Sequence, residues 1–211
     1  MTALERWTAA WWRDVLSAAG VRLTTAVVWS TALASHLNPR VFSKGESEIP
    51  DFMGQALHET GMLERMEENL DYSADRLMQV WPKRFPDRAT AERYARNPEK
   101  LAGYVYGYRL GNTSPADGWA YRGRGIPQIT GKANYMAVQR VTGIPVGSHP
   151  EMLSEPSVVL DCAVAWWEGH VPDSAIGDPE KVTEAVNGGQ HGLANRERLT
   201  GLMRRLCAQG A

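Results

Sequence analysis

The chain predicts a mainly α protein of 211 residues. Three observations carry that expectation. Apolar residues recur at helical spacing along most of the chain, as in Trp7, Trp11, Val15 and Leu16. Proline, glycine and acidic residues fall where helices begin and end. Alternating apolar and polar runs of the kind that make strands are scarce.

Residues 1–37 read as helical, interrupted at Gly20, with the second segment running from about Thr24 to Leu37 before Asn38-Pro39 ends it. A loop is expected around Ser43-Lys44-Gly45. Ser47 and Glu48 then precede Pro50 and Asp51, which suit a first helical turn. Phe52, Met53, Ala56 and Leu57 form that helix's apolar face, and Gly61 suits its C-terminal cap. Further helices are expected over Ala74–Val80, Ala89–Tyr94, Asn97 towards Tyr108, Asn134–Val141, Pro156–Gly169, Pro179–Val186 and Asn195–Cys207. Leu110–Gly131 reads as an ordered loop or short hairpin, Gly143–Pro150 as a loop and Asn187–Gly192 as a glycine-rich turn.

Length suits one domain with a real core, with residues 1–40 as an N-terminal helical segment and no separate wall-binding domain. A net charge of −1 speaks against nucleic acid and other polyanions, whereas a neutral glycan suits it. Eight Trp are notable because indole stacks well on sugar rings, although Trp11-Trp12 and Trp166-Trp167 read as packing residues. Cys162 and Cys207 do not make a disulfide framework or a zinc ligand set. His58-Glu59 lacks the second His that a zinc protease helix needs, since position 62 is Met. No metal and no cofactor is expected. The N-terminus is not a standard signal peptide, because Glu5, Arg13, Asp14 and Arg22 interrupt its apolar run. No stretch reaches the roughly 18 apolar residues of a membrane span. The expectation is a monomer made in the cytoplasm, without membrane insertion, which reaches the periplasm or wall through a separate factor.

Chemistry is concentrated in His58-Glu59-Thr60-Gly61 and Glu68-Asn69. Two carboxylates across a groove are the minimum equipment for cleaving a glycosidic bond, one as proton donor and one as base. Glu59 lies three positions after Ala56 and seven after Phe52, at the border of the apolar stripe. Partial desolvation there favours the protonated form. Spacing alone does not choose Glu68 over Glu64, Glu67 or Asp71. A second stretch, Tyr121-Arg122-Gly123-Arg124-Gly125-Ile126-Pro127-Gln128-Ile129-Thr130-Gly131, lacks the preceding strand and third glycine of a dinucleotide loop. Its glycines allow close backbone approach, and Gln128 and Thr130 offer groups suited to a sugar hydroxyl or a water. Read alone it is a structural turn. Asn187-Gly188-Gly189-Gln190, with Arg196 beyond, reads as a helix-ending turn whose Asn and Arg suit a carboxylate or an N-acetyl group.

Taken in order, these motifs resemble glycoside hydrolase family 19, from about Phe52 to Arg196. The likeness is greatest to its bacteriophage endolysin branch, through Glu68-Asn69-Leu70-Asp71-Tyr72-Ser73 and the run Gly111-Asn112 to Asp117-Gly118-Trp119. The resemblance implies a lysozyme-like, two-lobed fold, with a glycan groove between a larger helical lobe and a smaller insertion around residues 75–110. It implies Glu59 as general acid, Glu68 as general base and Thr130 as holder of the attacking water. It implies Tyr121, Gln128, Asn134 and Asn187 as substrate contacts, Arg196 as a cation near the carboxylates, and Trp119 in the groove wall. His58 is expected to make local hydrogen bonds. Pro127 departs from the Ile or Leu usual in that branch. The Asn112-Thr113-Ser114 sequon is read as chance. The implied reaction is inverting hydrolysis of the β-1,4 bonds of peptidoglycan glycan strands, which predicts carboxyl groups roughly 6.5–9.5 Å or more apart. A chitinase, a lytic transglycosylase and a non-catalytic wall-binding module are the alternatives.

Overall fold

Hydrophobic burial divides the chain into two separate cores, each closed by short helices. In the computed structural model, which describes residues 6–209, the first compact unit comprises the described parts of Met1–Met66, Gly125–Pro127 and Met152–Ala211. The second comprises Glu67–Arg124 and Gln128–Glu151. Among the described residues there is no β-strand, only the isolated bridges Glu67 to Arg124 and Arg124 to Ile129. No helix among them is long and apolar enough to cross a membrane.

The first unit starts with α1 (Ala9–Ala19), whose N-cap Thr8 accepts from the Trp11 amide, and α2 (Leu23–His36). The expected break at Gly20 separates them. Of the helical expectation over residues 1–37, residues 1–5 lie outside the described residues. Trp11, Trp12 and Trp167 are packing residues, as expected: Trp7, Trp11 and Trp12 form an aromatic cluster, and Phe52 meets Trp167 edge-on. The Trp167 indole N–H donates to Glu48, a buried carboxylate that also accepts from the Ser43 hydroxyl and the Lys44 amide. A buried charge needs such donors to replace water.

At the centre of this unit is α3 (Ile49–Glu59), with Pro50 in its first turn and Ile49, Phe52, Met53, Ala56 and Leu57 buried. Its end is a Schellman cap. The Gly61 amide bonds to the His58 carbonyl and the Met62 amide to the Leu57 carbonyl, with Gly61 at φ 57°. The Thr60 hydroxyl donates to the Ala56 carbonyl and accepts from the Leu63 amide. Glu59 is thus the last helical residue on a sharply fixed terminus.

The second unit holds α4 (Ala74–Val80), α5 (Arg88–Glu92), α6 (Pro98–Tyr106), α7 (Pro115–Ala120) and α8 (Lys132–Thr142). Its core gathers Leu70, Leu77, Phe85, Leu101 and Val105. Here the structure corrects one expectation. Leu110–Gly131 is not loop or hairpin throughout, because residues Pro115–Ala120 make α7. The Ser114 hydroxyl caps it by accepting from the Asp117 amide, and Pro115 opens its first turn. The Asn112 side chain, buried in the same segment, bonds to the Tyr106 carbonyl and the Lys132 amide.

The first unit is completed by α9 (Pro156–His170), α10 (Pro179–Asn187) and α11 (Leu193–Gln209). Cys162 and Cys207 are both buried and are not bridged to one another. The crossing of α11 on α3 is very close. A β-carbon built on Gly54 would lie 2.1 Å from Thr200 Oγ1 and 2.8 Å from the Thr200 backbone. We predict that Gly54→Ala destabilises the fold by about 2 kcal/mol, the usual scale of overpacking a tight contact. A thermal melt indistinguishable from that of the wild type would contradict this account of the α3 and α11 crossing.

Candidate active site

The expected site residues fall into two constellations, one in each unit. In the first unit, Glu59 keeps 24% of its side chain exposed and Arg196 keeps 3%. Arg196, projecting from α11, donates from each of its three guanidinium nitrogens. Its Nη2 donates to Glu59 Oε1 at 2.5 Å, its Nη1 to Gln55 Oε1, and its Nε to the His191 carbonyl at 3.0 Å. Gln55, one turn before Glu59 on α3, donates in turn to Thr183 Oγ1 on α10 at 3.3 Å. A buried cation is tolerable only when paired and hydrogen-bonded, and this arrangement satisfies it.

Asn187 ends α10, with Gly188 after it in the left-handed conformation. Its side chain accepts from the Gly189 amide and donates to the His191 carbonyl, the acceptor that Arg196 also uses. The glycine-rich turn therefore positions the cation beside Glu59. Gly192 continues it, and a β-carbon there would meet the His58 ring at 2.4 Å, so only glycine lets the backbone pass. The Asn195 amide group donates to His58 Nδ1 at 2.9 Å. Glu59 also borders a small depression shared with Gln55, Ile126, Pro127, Trp166 and Val186. The Pro127 departure therefore lines the same depression as Glu59. Trp166, read from sequence as packing, lies on that rim and stacks on His170.

In the second unit Glu68 is gripped by its own surroundings. The Glu68 amide donates to the Gly123 carbonyl at 3.0 Å, and the Gly123 amide returns a bond to Glu68 Oε1 at 2.6 Å. Tyr106 on α6 donates from its hydroxyl to Glu68 Oε2 at 2.8 Å. The neighbouring Glu67 pairs with both Arg122 and Arg124. Arg124, 4% exposed, donates also to the Ala120 carbonyl and the Tyr135 hydroxyl.

The space beside the Gly123 α-carbon brings three expected residues together. A β-carbon there would lie 3.0 Å from Gln128 Oε1, 3.1 Å from Thr130 Oγ1 and 3.4 Å from the Glu68 carboxyl carbon. Gln128 has φ 51°, a left-handed conformation uncommon away from glycine and often found where a site is under strain. The Thr130 hydroxyl donates to the Gln128 carbonyl at 3.0 Å. Asn134 is exposed and donates to the Thr130 carbonyl. Tyr121 is buried, with its hydroxyl donating to the Gly147 carbonyl, so it braces the loop. Trp119 has its indole face covered by the Arg122 guanidinium, 3.8 Å from the ring centroid. Among the described residues, no group of three His, Cys, Asp or Glu side chains is placed to hold a metal ion.

The fold is mainly α and of the lysozyme-like type, and its two constellations each carry a carboxylate of the kind that a glycosidase needs. No family model matches the chain. A glycosyl hydrolase family 19 domain-containing protein of Haemophilus influenzae is 40% identical over 151 residues, which are 70% of this chain and 74% of that protein. An endochitinase of Arabidopsis thaliana is 34% identical over 71 residues, 33% of this chain and 25% of its own length. Among solved structures, chitinase C from Streptomyces griseus matches with a TM-score of 0.59 at 18% identity, covering 95% of this chain and 92% of that one. A mutant form of a chitinase C matches with a TM-score of 0.60 at 17% identity, with the same coverage. The structural likeness speaks for the fold, and the Haemophilus relative for the family: the chain belongs to glycoside hydrolase family 19.

Burial lowers the proton affinity of His58, the Arg196 charge adds to the effect, and Glu59 opposes it. The unfolded chain therefore binds this proton more readily than the folded one. Stability from this source is complete above the ordinary histidine range, about 6.5, and is lost as pH falls through it. We expect the melting temperature of His58→Gln to fall less than that of the wild type between pH 7 and pH 5, and parallel curves would refute the assignment.

Proposed function

We propose that the protein hydrolyses β-1,4 glycosidic bonds of peptidoglycan glycan strands with inversion at the anomeric carbon. The observation that carries the chemistry is the environment of Glu68, whose two oxygens each accept a hydrogen bond while the Thr130 hydroxyl lies beside the same glycine. Donors on both oxygens hold the carboxylate in one orientation. On this reading Thr130 places a water and Glu68 takes its proton as the oxygen attacks the anomeric carbon. Glu59 gives a proton to the leaving oxygen as the glycosidic bond breaks. Arg196 occupies Glu59 Oε1, so the proton to be donated sits on Oε2.

The choice of peptidoglycan rests on the motifs shared with the endolysin branch. A second reading, hydrolysis of chitin, is favoured by relatives whose names state that activity, the Arabidopsis endochitinase and chitinase C. Both readings use the same residues and differ in the sugars that fill the site.

Purified sacculi and chitin oligomers, digested in parallel, separate the two. We expect new reducing ends from sacculi, released first as the α-anomer. We also expect Glu59→Gln and Glu68→Gln each to lower the rate by at least about a hundredfold, the scale of general acid–base catalysis, with melting unchanged. Products carrying 1,6-anhydro ends would instead indicate a transglycosylase. A near-wild-type rate in either variant would remove the two-carboxylate mechanism, and turnover of chitin alone would transfer the proposal to the second reading.

A further inference from the structure

Tyr106 is the one side chain that donates to Glu68 among the hydrogen bonds described above, and no motif pointed to it. It is the last residue of α6, a helix anchored by buried Leu101, Ala102 and Val105. The Asn112 amide holds its carbonyl at 2.9 Å, so backbone and hydroxyl are both fixed. The phenol resists ionisation because it is buried, and the Glu68 charge and hydrogen bond add to that effect. Tyr72 acts in the same direction and Arg109 opposes it. The group facing Glu68 Oε2 is therefore a neutral hydroxyl across the working pH range, and an ionised carboxylate can only accept from it. The other charged groups of this neighbourhood are Glu67, Arg122 and Arg124, the one carboxylate pairing with both guanidinium groups around Gly123.

We infer that Tyr106 is the positioning residue of the general base, locking the Glu68 carboxylate in one orientation. This rests on the proposed role of Glu68. The Gly123 amide fixes Oε1 and the Tyr106 hydroxyl fixes Oε2, so rotation of the carboxyl group breaks one bond or the other. Without the phenol, the carboxyl swings on a single anchor. The preorganised geometry that proton transfer from a placed water requires is lost with it.

Tyr106→Phe keeps the ring and removes only the donor. In this variant kcat for glycan hydrolysis is expected to fall about tenfold, the scale of one hydrogen bond to a charged group, with KM nearly unchanged. The melting temperature is expected to stay at the wild-type value. A purely structural tyrosine would lower the melting temperature and leave kcat of the folded enzyme in place. An unchanged kcat in Tyr106→Phe would overturn the role of Tyr106 while leaving a Glu68→Gln-sensitive hydrolase intact. Full activity in Glu68→Gln would instead sink the assignment of the base, and the positioning role with it.

Discussion

The second unit depends on one local interaction, the grip of Glu67-Glu68 on Arg122-Gly123-Arg124. Two adjacent acidic residues meet a glycine flanked by two arginines. Glu67 pairs with both guanidinium groups, and Glu68 exchanges backbone and side-chain bonds with the glycine between them. The arginines are themselves committed, Arg122 over Trp119 and to its carbonyl, and Arg124 to the Ala120 carbonyl and the Tyr135 hydroxyl. A carboxylate on a loop would otherwise sample many orientations. Here its neighbours in sequence and its partners across the turn are ion-paired around it, and the glycine admits Gln128 and Thr130 to the same small space.

Glu59 is positioned by different means. Its place is set by a helix terminus, where a Schellman cap and the Thr60 hydroxyl fix the last turn of α3. Its electrostatic partner arrives from the far end of the sequence, carried by α11 against the side-chain-free surface at Gly54. The Asn187 turn, Gln55 and Thr183 then consume the remaining donors of Arg196 or hold their acceptors in place. The two carboxylates are thus supported by unlike scaffolds, one by a helix cap and a buried cation, the other by an ion-paired loop and a phenol.

Much of this was legible in the sequence where local chemistry decides the outcome. The proline-led start of α3, its apolar face and its glycine cap predicted the helix that carries Glu59. Three features were not legible. The helix α7 lies inside a glycine-rich segment whose composition suggested a loop, although Ser114-Pro115 signals its start. Tyr106 sits in a helical stripe where an aromatic residue reads as core, and only the tertiary fold brings its hydroxyl to Glu68. Gln55 belongs to no motif and Trp166 reads as a packing residue, yet one holds Arg196 and the other borders the Glu59 depression. The selection of Glu68 among nearby acids, and of Thr130 and Arg196, came from family resemblance. Spacing along the chain carries no information about which side chains converge across a turn.

On the proposed mechanism, ion pairing by Glu67 sets the geometry of the base beside it. Glu67→Gln removes that pairing and leaves Glu68, Tyr106 and Thr130 untouched. Measured on the glycan substrate that the wild type cleaves, its kcat is expected to fall at least about tenfold, since misplacing a reacting group by a fraction of an ångström is costly. A Glu67→Gln variant with the wild-type rate would show that Glu68 is held without the grip and would contradict the account.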